Sequence, residues 1–114
     1  MENNYFDESL VTTAFTIPQY KITKNIGIVR GITVRSRSIV GNFGAGIQSI
    51  FGGNITIFTE LCEKARHEAY LLMLEHAKSM GANAVISMNY DATELMQGIT
   101  EVLCYGTAVI VEKE

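Results

Sequence analysis

The sequence predicts an α+β domain of strand–helix–strand–strand order, with one long helix packed on an antiparallel sheet. Three observations carry this reading. A β-rich run extends from Tyr20 to Arg37, an apolar rhythm of three- and four-residue steps extends from Thr56 to Met80, and two further β-type segments follow Gly81 with a short polar stretch between them. The chain has 114 residues, 47% of them hydrophobic, enough for one domain with one core.

Residues 1–15 are expected to form an N-terminal extension, partly flexible, and residues 16–114 a single domain. Across that boundary, Leu10 to Ile17 (LVTTAFTI) is rich in β-branched residues and reads as a strand or extended arm. Pro18 marks its boundary. In the run Tyr20–Arg37, Ile26, Ile28, Ile32 and Val34 share one parity and predict one apolar face. Val29 breaks the alternation, and Gly27 and Gly31 beside it mark where a strand this long can bulge or bend.

Gly41 to Gly53, GNFGAGIQSIFGG, combines five glycines with Phe43, Ile47, Ile50 and Phe51. Ile47, Ile50 and Phe51 fall at i, i+3 and i+4, one stripe of a short helix. A helix this short is marginal alone, so it must dock on something larger, and a subunit contact is the expected surface.

The helix Thr56–Met80 follows, with Phe58, Leu61, Cys62, Ala65, Ala69, Leu72, Met73 and Met80 on its apolar side. Thr56 or Thr59 is expected to cap its start. Gly81 supplies the left-handed stop. Asn83 to Asp91 is then a strand with Ala84, Ile86, Met88 and Tyr90 on one face, 92–98 a polar turn, and Thr100 to Val111 the last strand. The short connection makes these two an antiparallel pair.

Composition narrows the function. Charged residues are 18% of the chain, below the usual ~25%, so a partner is expected to cover apolar surface, most simply another copy of the chain. The formal net charge of −3 disfavours nucleic acid, which needs a basic surface. Arg30, Arg35 and Arg37 form a local basic stripe, more simply read as solvated strand charges. No run reaches the ~18 apolar residues of a membrane span. The first residues, which include Glu2, lack a secretory pattern. The expectation is a cytoplasmic protein with Cys62 and Cys104 both reduced.

The motifs GIVRG (Gly27–Gly31), IFGG (Ile50–Gly53), KAR (Lys64–Arg66), GANAVI (Gly81–Ile86) and GTAV (Gly106–Val109) occur in this order. Together they resemble the YbjQ family, a largely uncharacterised bacterial family sometimes labelled heavy-metal-binding. The resemblance implies a β-α-β-β subunit similar to dodecin-like folds. It also implies a ring-shaped homo-oligomer, of five copies, with short extra strands joining neighbours. Phe43, Ile47, Ile50, Phe51 and Arg66 are the expected interface residues. Arg66 suits a fork-shaped pair with a carboxylate or carbonyls across that interface.

Metal ligation is the first chemistry to weigh, and a transition metal the cofactor it would bring. Cys62, Glu63 and His67 are the candidate ligands, with Glu60, His76, Asp91 and Cys104 as the remaining donors. Soft metals need thiolates and imidazoles converging at about 2.0 to 2.3 Å, yet the chain has no CxxC, HxxxH or CxxH pair. Glu63 and His67 share a helix face at i and i+4, which a solvated pair explains equally. Cys62 and Cys104 both fall among apolar neighbours, where cysteine acts as a small hydrophobe.

Nucleophilic catalysis fares no better. Cys62 and His67 are five residues apart, so their side chains diverge by about 140° on a helix and cannot pair there. The glycine-rich segment has neither a GxxxxGK[ST] nor a G-x-G-x-x-G spacing, since Ser49 stands where the third glycine would be. The sequence therefore favours a non-catalytic homo-oligomer binding a small ligand at subunit interfaces or a protein partner. A heavy-metal-binding or metal-responsive protein is the alternative.

Overall fold

The computed structural model describes residues 6–36 and 55–114. The short helix expected around Phe43, Ile47, Ile50 and Phe51 lies outside them. Four main elements follow a short 3-10 turn at Glu8–Leu10: β1 (Tyr20–Ser36), α1 (Ile55–Ser79), β2 (Ala84–Met96) and β3 (Ile99–Lys113). The strands form one antiparallel sheet in the order β1-β3-β2, so the fold is α+β with a three-stranded sheet and one helix.

Helix α1 stops where a glycine lets it. Gly81 takes φ 86°. Its N–H donates to the Lys78 carbonyl at 3.0 Å, and the Ala82 N–H to the Ala77 carbonyl at 3.1 Å. This paired closure is the Schellman arrangement. Because α1 begins at Ile55, Thr56 and Thr59 lie inside the helix, past its N-cap position. The expected polar turn over 92–98 is also shorter than its sequence implies. Strand β2 runs on until Met96 pairs with Ile99, leaving Gln97 and Gly98, with Gly98 at φ 82°, as a two-residue hairpin turn.

The core sits between α1 and the sheet. Ala65, Ala69, Met73 and Ala77 recur at four-residue steps along α1 and are buried with Val29, Leu74, Val85, Val102, Cys104 and Ala108. Three alanines in that row bring the helix backbone close to β1. A Cβ added at Gly31 would meet the Ala69 carbonyl oxygen, the Met73 nitrogen at 2.5 Å and the Leu72 Cβ at 2.7 Å. Next to this contact the Thr33 hydroxyl donates to the Ala65 carbonyl at 3.4 Å. Met73 is fully buried at the centre. Met73→Ala is therefore expected to lower stability by about 2–5 kcal/mol, read as an earlier midpoint in urea.

This close approach sets the facing of β1. Val29, Gly31 and Thr33 lie under the helix, while Ile28, Ile32 and Val34 are exposed on the opposite face. A register shift between Asn25 and Gly27 separates Ile26 from them, and Ile26 packs against the helix-side core. Strand β2 shows the same effect. Its register shifts between Ile86 and Asn89, with Ser87 at φ 57°. Val85 and Met88 consequently meet the helix-side core, whereas Ala84 and Ile86 belong to a second cluster.

That second cluster explains residues 6–19. Leu10 and Ile17 pack with Ala84, Val109 and Val111. The Thr12 N–H donates to the Val85 carbonyl at 2.9 Å, the Ser87 N–H to Ala14 at 2.8 Å and the Met88 N–H to Thr12 at 3.0 Å. The segment thus continues the sheet briefly beyond the β2 edge.

Candidate functional site

Two surfaces hold the residues that chemistry or recognition could use. The first is the corner between the N-terminal half of α1 and β2. There the Arg66 guanidinium lies 5.6 Å from the centre of the Tyr90 ring, a cation–π contact. The His67 ring stacks on Tyr70 with centroids 6.2 Å apart and planes 25° apart. The Tyr70 hydroxyl donates to Glu8 at 2.8 Å. Burial, and then Glu8, raise the Tyr70 phenol well above its ordinary value. Arg66 thus finds an aromatic partner within its own chain.

The candidate metal ligands do not converge within one copy. Cys62, Glu63 and His67 are all exposed, and His67 is turned against Tyr70. Cys62, expected on the apolar stripe, is solvent-facing, whereas Ala65 three residues on is buried. Among the described residues no three of His, Cys, Asp and Glu stand close enough to share an ion. Cys104 does lie in the core, as its parity indicated. Its sulfur is 3.6 Å from that of Met73, and burial pushes its thiol up to about 11. A maleimide at pH 8 is expected to label Cys62 alone in the native protein and both thiols in denaturant, as a mass spectrum would show.

His76, one of the remaining donors, is half-buried, and its Nδ1 accepts the Arg30 backbone N–H at 3.2 Å. Arg35 pairs with Glu68 across β1 and α1. Neither contact is a catalytic arrangement. Both tie the helix to the strand.

The second surface is the sheet face turned away from α1. Ile28 is 73% exposed, Val34 49%, Ile32 40% and Tyr105 37%. Ile32 stands opposite Leu103 and Arg30 opposite Tyr105, so these side chains form one continuous patch. Asp91, opposite Leu103, and Glu101, opposite Val34, bring carboxylates to the same face. Sequence parity grouped Ile28, Ile32 and Val34 on one apolar face, and the structure turns that face away from α1. The signal that identifies it is Gly31: a glycine facing a row of alanines belongs under the helix, and its neighbours then face outward.

Residues 9–112 match the family described as "Putative heavy-metal-binding". The chain belongs to the YbjQ family. Its relatives include a UPF0145 protein of Chromobacterium violaceum, 66% identical over 90% of this chain and 88% of that protein. A UPF0145 protein of Burkholderia thailandensis is 61% identical over 90% and 93%. The fold is similar to that of a protein of unknown function from the DUF74 family of Pediococcus pentosaceus. There the TM-score is 0.58 and the identity 14%, over 90% of this chain and 96% of that one. The family description names a metal, but the described residues of this YbjQ-family chain hold no ligand set that fits one. Among them no helix is long and apolar enough to cross a membrane.

Proposed function

We propose that this YbjQ-family chain is a non-catalytic protein that assembles from copies of itself and binds a small ligand or a protein partner in the clefts between them. The observation that carries the reading is the outward row of Ile28, Ile32 and Val34 beside Tyr105. Such a patch costs free energy when it faces water, roughly 25 cal/mol per Å² of apolar surface, and contiguous patches of this kind mark association sites.

A second copy is the occupant the charges favour. Arg30 sits on the β1 side of this face, Asp91 and Glu101 on the β2–β3 side. Opposite charges on its two sides suit this face to contact with another copy, and a head-to-tail contact between copies closes into a ring when the rotation allows. The resemblance to the YbjQ family suggests five copies. Clefts between subunits are where ligand pockets usually form.

Light scattering during size-exclusion chromatography tests the assembly. The expected mass is a multiple of 12.6 kDa that persists at micromolar concentration, and a single-copy mass there contradicts the reading. The family description favours a metal instead, which here would need ligands drawn from more than one copy. Zinc or copper that co-purifies with the wild type and is lost in Cys62→Ala/Glu63→Ala/His67→Ala would establish that alternative.

A further inference from the structure

Among the described residues, strand β1 has a paired edge against β3 and a second edge with no strand beside it. A histidine side chain reaches that second edge. His76, in the last turns of α1, accepts the Arg30 N–H through Nδ1 at 3.2 Å. Only an imidazole whose Nδ1 carries no proton can accept this bond.

The geometry points to a pH-operated clamp that regulates the outward face of β1: neutral His76 holds the Arg30 amide and seats β1 on α1, and protonated His76 releases it. Protonation turns Nδ1 from acceptor to donor, leaving two N–H groups facing each other. Imidazole is the side chain that ordinarily changes charge between about pH 5 and 8. The charged ring has an alternative partner, because α1 ends three residues later at Ser79 and cations are stabilised near the carbonyls of a helix C-terminus. The two protonation states therefore favour different partners for one ring.

The groups around His76 reinforce the release. Strand β1 carries Lys21, Lys24, Arg30 and Arg35 and no acidic residue, so it offers the imidazolium nothing to pair with. Opposite Arg30, β3 presents Tyr105. On α1 itself Glu75 and Lys78 flank the histidine in sequence with opposite charges. Among the described residues no carboxylate pairs with His76. The released amide is next to Gly31, where an added Cβ would strike the α1 backbone, so the clamp acts at the seam that fixes which side chains of β1 face outward.

The clamp itself belongs to one chain. Its effect on assembly rests on the self-association proposed above, and the experiment separates the two. Nuclear magnetic resonance on the double variant Ile28→Asp/Val34→Asp follows the Arg30 amide from pH 8 to pH 5, with and without His76→Gln. The glutamine carbonyl can accept the same N–H and does not titrate. With histidine at position 76, the Arg30 amide signal is expected to move in step with the imidazole. Its exchange protection, corrected for intrinsic rate, should fall about tenfold or more toward acid. With glutamine it should stay constant. An Arg30 amide indifferent to pH, or one moving equally in both proteins, overturns the clamp. Light scattering of the wild type over the same range is expected to show smaller assemblies at pH 5. A titrating amide with an unchanged mass overturns the link to assembly alone.

Discussion

Gly31→Val is expected to abolish the folded state, and Gly31→Ala to weaken it by roughly 3 kcal/mol or more. The reason is specific to what stands above the glycine. The added Cβ would meet the Ala69 carbonyl and the Met73 nitrogen, both backbone atoms of α1. No rotamer change relieves that contact. The helix must lift, and with it the alanine row that seals the core. Since small domains have only about 5–15 kcal/mol of net stability, the valine variant has little chance of offsetting the loss. Gly27→Ala is the control. A Cβ there meets nothing within 4 Å, but the backbone stands at φ 139°, so its cost is conformational, about 1–3 kcal/mol. Urea midpoints for the two alanine variants, compared at equal slope, separate the two mechanisms.

The second large effect concerns assembly. Ile28→Asp/Val34→Asp places two carboxylates in the outward row of β1, where they add little strain to a single copy because both side chains already face water. In the proposed assembly they would be desolvated without partners. Losing two such anchors, at about 2 kcal/mol or more each, raises the dissociation constant by about a thousandfold. The expected protein is a folded single copy with circular dichroism like that of the wild type. A double variant that keeps the wild-type mass would move the association surface elsewhere on the molecule.

The element order was legible because it rests on patterns with strong local causes. The helix declared itself by its three- and four-residue rhythm, and Gly81 closed it as a left-handed stop. Strand facing was less legible. Parity counting assumes an unbroken ladder, and both β1 and β2 contain register shifts, each of which exchanges the two faces. Parity gave Ile28, Ile32 and Val34 one face without its direction, which is decided by the tight helix contact that needs glycine and threonine. The segment Leu10–Ile17 read as extended, but its place beside the β2 edge depends on pairing across some seventy residues, which no local pattern encodes. The α1–β2 corner was readable as residue types alone. That His67 meets Tyr70 and Arg66 meets Tyr90 follows from how α1 crosses the sheet.

The metal candidates show the same limit from the other side. Glu63 and His67 share a helix face by spacing, yet a ligand set is a convergence of directions, and the aromatic stack commits His67 elsewhere. Cys104, inert by burial, and Cys62, exposed on the helix, are far apart in environment although both sit among apolar neighbours in the sequence.

Hydroxyl-radical footprinting of the outward sheet face tests the central claim most directly. If copies of the chain cover one another there, Tyr105 and Leu103 of the wild type resist oxidation at micromolar concentration and become reactive in Ile28→Asp/Val34→Asp. Equal oxidation of both residues in the two proteins would show a face open to water and contradict the account.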